Sequence, residues 1–259
     1  MTILYFTGTG NSLAAAKAIG GELISIPQAV RAGRFEFADN AIGVVFPTYC
    51  YAPPRMVRDF VGRAVLRADY RFAVATCGMI PGTASAQLQR LARSRGWQFD
   101  YTAAAIMVDN YLPLFEMGAQ IASLPKKRVG AQLEHIAADI AARRRQQRRA
   151  SPLDLLMTAA GRPLLYRLDR GLEARAFLVD DRCIRCGICA RVCPADNITV
   201  ADRVVFGDRC QNCFACLHAC PRGALHLKSE RSERRWRNPQ TPLGELIRAN
   251  SGALPDSVR

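Results

Sequence analysis

The sequence predicts an α/β protein: a doubly wound, five-stranded parallel sheet followed by a small, cysteine-rich α+β domain. Three observations in the 259-residue chain support this prediction. Five short, nearly continuous apolar runs occur before residue 110, helical segments separate most of them, and eight of the ten cysteines lie in two groups after residue 180. Apolar strands that alternate with helices indicate a parallel sheet covered on both faces, and right-handed crossovers place helices on each side.

The elements of the sheet unit follow one another closely. The predicted strands are Ile3–Phe6, Glu22–Ile26, Ala41–Pro47, Phe72–Cys77 and Tyr101–Val108. The predicted helices are Ser12–Ile19, Pro54–Val65, Ala84–Arg95 and Val129–Arg149. The last helix ends in the run Arg143–Arg149, and arginines suit the negative end of a helix dipole. We therefore assign residues 1–150 to the first domain.

Three further segments complete the chain. Residues 151–175 form a connector that the pattern predicts to be helical, residues 176–230 form the cysteine-rich domain, and residues 231–259 form a charged tail, expected to be partly ordered. The connector's leucines suggest an apolar face that packs between the domains or, as the less favoured alternative, lies on a membrane surface. They are Leu153, Leu156, Leu164, Leu165 and Leu168.

The two cysteine groups are near copies of each other. They read "RCIRCGICARVCP" from Arg182 to Pro194 and "RCQNCFACLHACP" from Arg209 to Pro221, each with the spacing C-x2-C-x2-C-x3-C-P. Three cysteines so spaced let one loop hold three corners of a [4Fe–4S] cubane, while the fourth, followed by proline, ligates the other cluster. The predicted ligand sets are Cys183, Cys186, Cys189 and Cys220 for cluster 1, and Cys210, Cys213, Cys216 and Cys193 for cluster 2.

Structural zinc and a disulfide scaffold are the alternatives for these cysteines. Zinc is usually held by two separated pairs of ligands, often with histidine, which duplicated runs of four fit poorly. His218 lies inside the second run and is expected to pack beside a cluster or tune it, whereas His135 and His226 are expected to be ordinary histidines. The first 180 residues hold only Cys50 and Cys77, which favours metal in a reducing cytoplasm over disulfides. No signal peptide or membrane-spanning run is recognised.

The loop "TGTGNS" joins the first strand to the first helix. Its residues Thr7, Gly8, Thr9, Gly10, Asn11 and Ser12 can surround a phosphate, and the helix dipole favours an anion there. A dinucleotide loop would need glycine in place of Leu13 and an acid after the second strand, where Pro27 and Gln28 stand. NAD is therefore disfavoured, and the lack of a G-K-S/T motif disfavours ATP. A plain turn is the remaining alternative.

Two further loops follow neighbouring strands. "FPTYCYAPPR" offers Tyr49 and Tyr51 as flat partners for a ring system, and "TCGM" follows the fourth strand. Loops at the carboxyl ends of parallel strands face one crevice, where such sheets bind ligands. Simple packing is the alternative for each tyrosine, and two small buried side chains are a simpler expectation for Cys50 and Cys77 than a thiol pair. The candidate residues in these loops are Pro47, Thr48, Tyr49, Cys50, Tyr51, Cys77 and Gly78.

The three loops and the two cysteine runs resemble those of known families. "TGTGNS", "PTYCYAPP" and "ATCG" resemble flavodoxins, and the cysteine runs resemble a bacterial two-cluster ferredoxin. The order of the parts, with "DNYLP" at Asp109–Pro113, resembles the flavodoxin–ferredoxin fusions labelled EFR1-family ferredoxins over about residues 1–228. The resemblance implies FMN held by Thr7–Ser12, Thr48–Tyr51 and Cys77–Gly78. Classical flavodoxins are acidic and this chain is basic. The kind of partner that flavodoxins bind is therefore not expected for this chain.

The formal charge of +14 suggests an anionic partner. Bound clusters and a flavin phosphate would lower it to about +8. A nucleic-acid partner is disfavoured, because the net charge is the only feature of the sequence that suggests one. The expected partner is a redox protein with an acidic docking surface, met in the cytoplasm.

Two classes of function remain. In the first, the chain is a soluble electron carrier between clusters and FMN; in the second, FMN acts on a small molecule and the clusters feed it electrons. The sequence shows no nucleophile arrangement and no carboxylate pair beside the candidate flavin loops, so no catalytic residue is predicted and the carrier is favoured. The connector should dock the domains, with one cluster near Tyr49, Cys77 or Tyr111.

Overall fold

The computed structural model describes residues 1–161 and 176–254. The elements of its first domain are β1 (Thr2–Tyr5), α1 (Asn11–Ile19), β2 (Glu22–Ser25), α2 (Ile26–Arg31), β3 (Glu36–Ala38), β4 (Ala41–Pro47), α3 (Arg55–Arg63), β5 (Val65–Arg67), β6 (Tyr70–Cys77), α4 (Ala84–Ser94), β7 (Tyr101–Ile106), α5 (Met117–Ala122) and α6 (Val129–Ala141). The main sheet has five parallel strands in the order β2-β1-β4-β6-β7. Counted along the chain this is the order 2-1-3-4-5, which is the flavodoxin-like doubly wound arrangement. The predicted fold class is confirmed.

Each face of the sheet has its own core. Successive side chains of a strand point to opposite faces, so Leu4 and Phe6 pack with residues of α2, α3 and α4. Ile3 and Tyr5 pack on the other face with residues of α1 and α6. The two helical layers hold the strand ends, and the loops that follow them, in fixed positions.

The segment after α6 differs from the prediction. The helix ends at Ala141 rather than Arg149, and Arg143 takes a left-handed conformation with φ of 48°. The chain then runs beside β7: the Thr102 N–H donates to the Gln146 carbonyl at 2.9 Å, and the Arg148 N–H donates to the Thr102 carbonyl at 3.1 Å. Pairing with the open edge of the sheet satisfies backbone groups that a longer helix would leave unpaired there.

The connector begins with a short helix, α7 (Pro152–Leu156). Ser151 and Asp154 form a reciprocal capping box at its start, and Arg148 reaches the Asp154 carboxylate at 2.6 Å. Leu153 and Leu156 are 51% and 61% exposed, so these two do not pack between the domains as expected. Leu164, Leu165 and Leu168 lie outside the described residues.

The cysteine-rich domain is a small α+β unit. Its elements are β8 (Phe177–Val179), α8 (Ile188–Arg191), β9 (Ile198–Val200), β10 (Val204–Phe206), α9 (Ala215–Ala219) and β11 (Leu225–Leu227). β8 pairs with β11 and β9 pairs with β10, both antiparallel. The domain shares a buried core with Val108, Leu112 and Met117 of the first domain, so the two domains are packed together.

The C-terminal segment folds back on the first domain. It contains α10 (Leu243–Ser251), whose Leu246 and Ala249 are buried. The Gln28 side chain of α2 donates to the Arg248 carbonyl at 2.7 Å, and Lys17 pairs with Glu245 at 2.8 Å. The charged tail is therefore an ordered part of the fold as far as residue 254. Within the two described ranges, no helix combines the length and apolarity needed to cross a membrane.

Candidate cofactor sites

The loop between β1 and α1 is closed by its own polar groups. The Gly10 N–H donates to Thr7 Oγ1 at 3.1 Å, and Ser12 Oγ lies 2.8 Å from Thr76 Oγ1 at the end of β6. The Asn11 side-chain amide donates at 3.0 Å to a backbone carbonyl just after β7. The first turn of α1 carries no acidic residue, so the positive end of its dipole can act on an anion.

A cavity lies over the carboxyl ends of the sheet strands, and nearly all the candidate flavin residues line it. They are Thr7, Gly8, Thr9, Asn11, Ser12, Pro47, Thr48, Tyr49, Cys50, Tyr51, Cys77 and Gly78. Gly10 is the exception because it faces the C-terminal segment, where a Cβ on it would lie 2.9 Å from Thr241 Cβ. The structure thus brings the three predicted loops to one crevice.

Two tyrosines enter this cavity from a tight turn. The Tyr49 and Ala52 backbones exchange two hydrogen bonds of 2.9 Å, and Cys50 and Tyr51 take positive φ of 48° and 60°. On the neighbouring loop, burial raises the pKa of the Cys77 thiol to about 12. A buried neutral thiol agrees with the packing role expected for Cys77, whereas Cys50 is only partly buried. A thiol pair of the two stays the less favoured alternative.

A fourth loop, which follows β7, also lines the cavity. It contributes Asp109, Asn110 and Tyr111. Burial raises the pKa of the Asp109 carboxyl, and its Oδ1 accepts the Tyr111 N–H at 3.2 Å. Behind the loop, Lys127 donates to the Gly78 carbonyl at 2.9 Å and to the Met107 carbonyl at 2.6 Å. This ammonium therefore ties the third loop to the fourth.

The cluster 1 cysteines line one small cavity in the second domain. It is bounded by Cys183, Cys186, Cys189 and Cys220. Burial raises the pKa of the Cys189 thiol to about 11, and the charges of the other three thiolates act in the same direction. A backbone amide, from Ala224, donates to Cys220 Sγ at 3.3 Å. The last cysteine of the second run thus lies with the first three of the first run.

The cluster 2 cysteines converge in the same way, closer to the first domain. Burial raises the pKa of the Cys216 thiol well above its usual value, and the thiolates of Cys213, Cys210, Cys193 and Cys189 act in the same direction. The Asn197 N–H donates to Cys193 Sγ at 3.3 Å, four residues on, as Ala224 does for Cys220. The two halves of the domain therefore repeat one amide-to-sulfur contact, and the exchange of the fourth cysteines stays a prediction.

In residues 1–161 and 176–254, no three Cys, His, Asp or Glu side chains lie close enough together to hold a single metal ion. Structural zinc stays the alternative for these cysteines.

The two cofactor regions meet at the second cysteine run. Asn212 and Phe214, the neighbours of Cys213, line the cavity of the first domain. The rings of Phe214 and Tyr111 are stacked with centroids 5.5 Å apart. A Cβ on Gly8 would lie 2.6 Å from the Cys213 carbonyl oxygen, so only glycine allows the phosphate-type loop to come this close.

His218 joins the domains rather than binding metal. Its Nε2 lies 3.0 Å from the Asn110 carbonyl oxygen, and its Nδ1 accepts the Trp236 N–H at 3.1 Å. Both bonds require the neutral ring protonated on Nε2, and burial lowers the pKa of His218 to about 4. His135 is exposed beside Asp139, and His226 lies between Asp180 and Glu230.

Several residues of the cavity were not singled out from the sequence. Asp109, Asn110 and Met157 line it, as do Asn212 and Phe214. For Asp109 and Asn110, the position of "DNYLP" directly after a predicted strand could have indicated that they line the cavity. Nothing in the cysteine spacing indicates which side of the second run faces the sheet domain.

Comparisons with known proteins give one family match, and it lies in the second domain. Residues 176–221 match the family of 4Fe–4S dicluster domains, and no curated protein matches the chain. Among solved structures, the chain is similar to a candidate flavoprotein from Bacteroides uniformis, at 16% identity and a TM-score of 0.32, over 40% of this chain and 89% of that one. It is also similar to the two-electron reduced flavodoxin of Megasphaera elsdenii, at 16% identity and a TM-score of 0.30, over 52% of this chain and 98% of that one.

The dicluster match defines the second domain as one of the iron–sulfur, electron-transfer class. The strand order defines the first domain as flavodoxin-like. The chain is therefore a flavodoxin-like domain followed by a ferredoxin-type domain.

Proposed function

We propose that the chain is an electron carrier in which two [4Fe–4S] clusters exchange electrons with FMN in the first domain. The observation that carries this proposal is the shared wall between the two cofactor regions. Asn212 and Phe214 flank a cluster 2 ligand, Cys213, and also line the flavin cavity. The ligand's own neighbours in the chain thus form part of the wall between the two sites.

The residues present fit FMN. The hydroxyls of Thr7, Thr9 and Ser12 and the start of α1 would hold a terminal phosphate dianion. Thr48 lines the same cavity, and its buried hydroxyl has no hydrogen-bond partner in the described part of the chain. A buried hydroxyl is normally paired, and a bound polar ring would pair it. When bound, FMN supplies one- and two-electron chemistry.

The two cluster sites differ in access. At cluster 1, Cys186 is exposed and the adjacent Ile184 is 61% exposed. At cluster 2, Cys213 and Cys216 are buried under the first domain. A redox partner would therefore meet cluster 1, and cluster 2 would pass electrons to or from the flavin site.

The surface at cluster 1 indicates what kind of partner it would meet. Arg185 and Arg222 line this site, and no acidic residue of the described ranges does. An acidic docking surface on the partner would complement it.

The chain's own side chains keep the junction dry and fixed. The stacked pair of Tyr111 and Phe214 fills the space beside the cavity. His218, held neutral by burial, fixes the backbone of Asn110 against the second domain. Excluding water and fixing geometry favours fast transfer, because charged groups then reorganise less.

A second candidate function is an FMN-dependent oxidoreductase for a small molecule. The observation in its favour is Asp109, a buried carboxyl with a raised pKa in the cavity wall. Such a group can hold and deliver a proton to a bound molecule. The carrier is preferred because the second domain closes one side of the cavity.

The relay is tested by stopped-flow reduction of anaerobically purified protein whose iron, sulfide and FMN have been assayed. Ferredoxin-type clusters of low potential, on the order of −400 mV, should reduce first, and flavin reduction should follow at a rate independent of protein concentration. A rate that increases with protein concentration, or clusters that never reduce the flavin, would contradict an internal relay. Protein that contains no FMN would contradict the flavin assignment itself.

A further inference from the structure

Residues 238–250, which we call the C-terminal strap, contact the back of the loop between β1 and α1 at three successive points. The Asn238 N–H donates to the Thr9 carbonyl at 2.8 Å. Thr241 Oγ1 donates to the Gly10 carbonyl at 3.2 Å, and the Asn250 side-chain amide donates to the Thr7 carbonyl at 3.3 Å.

These contacts are sealed from solvent. Thr241 is 1% exposed and Asn250 is 0% exposed. Gly10 has a φ of 102°, and a Cβ there would lie 3.0 Å from Asn238 Cβ, so only glycine fits the contact. Hydrogen bonds in such a setting are strong and costly to break, since a donor or acceptor left behind has no water to replace its partner.

The strap points the loop's amides toward the cavity. A trans peptide bond directs its carbonyl and its N–H to opposite sides. The Gly10 carbonyl also accepts the Ala14 N–H of α1 at 2.8 Å. Bonds from the strap to the carbonyls of Thr7 and Gly10 therefore help to turn the next N–H groups, those of Gly8 and Asn11, away from the strap. Both of these residues line the cavity, where an anion would accept from their amides.

We propose that the C-terminal strap positions the phosphate-binding loop and so sets the affinity of the first domain for FMN. This inference rests on the proposed function, because it concerns the same flavin site. The strap follows the whole ferredoxin-type domain in the chain, so the flavin site is incomplete until the last helix has docked. Thr241 and Asn250 are its positioning residues.

The test is Thr241→Val in the full-length, cluster-loaded protein. Valine keeps the shape and removes only the hydroxyl donor. Flavin-depleted protein is titrated with FMN and followed by quenching of flavin fluorescence. We expect FMN binding to weaken by about fivefold, which corresponds to one net hydrogen bond, with unchanged iron content.

Two variants serve as controls. Thr241→Ser restores the hydroxyl and should restore FMN binding. Ser251→Ala removes a hydroxyl from α10, the helix that follows Thr241. In the described part of the chain this hydroxyl donates to the Ile247 carbonyl of the same helix, at 3.0 Å, and its loss should leave FMN binding unchanged.

The outcomes separate the strap from the proposed function. The Thr241→Val protein could bind FMN as tightly as the unaltered protein, whether or not its melting temperature falls. This result would overturn the proposed role of the strap and leave the flavin assignment intact. Unaltered protein that fails to bind FMN would instead overturn the proposed function. If Ser251→Ala weakened FMN binding as much as Thr241→Val, the loss of binding would reflect general destabilisation of α10. That result too would overturn the proposed role of the strap.

Discussion

One residue of the second cysteine run takes a conformation that its side chain disfavours. The residue after the second cysteine has positive φ in both runs: Gly187 at 74° and Phe214 at 55°. A bulky residue with positive φ raises the conformational free energy by about 1–3 kcal/mol, whereas glycine takes this conformation with little strain. Phe214 is 3% exposed, stacks on Tyr111 and lines the cavity of the first domain. The ring's contacts with the first domain offset the backbone strain.

The substitution Phe214→Gly tests this role. It gives the second run the residue found in the first, so iron should be retained while the ring contact is lost. We expect FMN binding to weaken by about tenfold, the size typical of losing one aromatic contact to a planar ring, measured by FMN titration with iron assayed in parallel. Phe206→Leu is the control because Phe206 stacks on Phe177, at 4.7 Å, in the same domain. Full FMN affinity in Phe214→Gly would contradict the assignment.

At the scale of elements, we expect the two cysteine runs to depend on each other, because the fourth ligand of each predicted cluster comes from the other run. Cys193 lies with the second run's thiolates, and Cys220 lines the site of the first run. We expect Cys193→Ser to lose the cluster held by the second run and to keep the other, because serine is a poor ligand for iron that prefers thiolate.

Iron and sulfide assays with EPR of the reduced protein measure this outcome, and iron should fall by half. Cys77→Ser is the control, since Cys77 is buried in the first domain, and it should retain all its iron. Loss of the cluster held by Cys183, Cys186 and Cys189 instead would show that the fourth ligands are not exchanged.

The sequence was a good guide to some elements and a poor one to others, for physical reasons. Long buried strands such as β4 and β6 were predictable because both faces are apolar. The short pair β3 and β5 was missed, since strands of three residues with one buried side chain carry little pattern. The run Arg143–Arg149 was wrongly predicted to be helical because arginine favours helices, while the structure uses its backbone to extend the sheet edge.

The candidate sites, too, were predictable from the sequence in some features and not in others. Ligand sets and cavity loops follow from local spacing, so they could be predicted. The contacts between the domains could not, because His218 and Asn110 are far apart in the chain and each is unremarkable locally. The ordered tail was hidden by its charge: Arg231, Arg234 and Arg248 are exposed, while a few residues, such as Thr241 and Asn250, are buried.

At the scale of the whole molecule, one side chain joins the loop between β1 and α1 to the residue that precedes Cys193. The Asn250 amide donates to the Thr7 carbonyl at 3.3 Å and to the Val192 carbonyl at 2.9 Å. Val192 precedes Cys193, the exchanged ligand proposed for cluster 2. Ordering the loop by bound FMN therefore helps to order the backbone that presents Cys193, and the effect must be reciprocal because coupling between two sites is.

This coupling predicts that FMN protects cluster 2 from a chelator. Iron release from the unaltered protein, followed by the absorbance of the chelate, should have a phase that FMN slows by about fivefold, the low end of typical coupling between sites. In Asn250→Ala that phase should no longer depend on FMN, while Ser251→Ala should behave as the unaltered protein. Iron from cluster 1, whose Cys186 is exposed, should leave at a rate independent of FMN in all three proteins and so provides an internal reference. If FMN protects both clusters equally, or protects cluster 2 as strongly in Asn250→Ala, then the link does not run through this side chain.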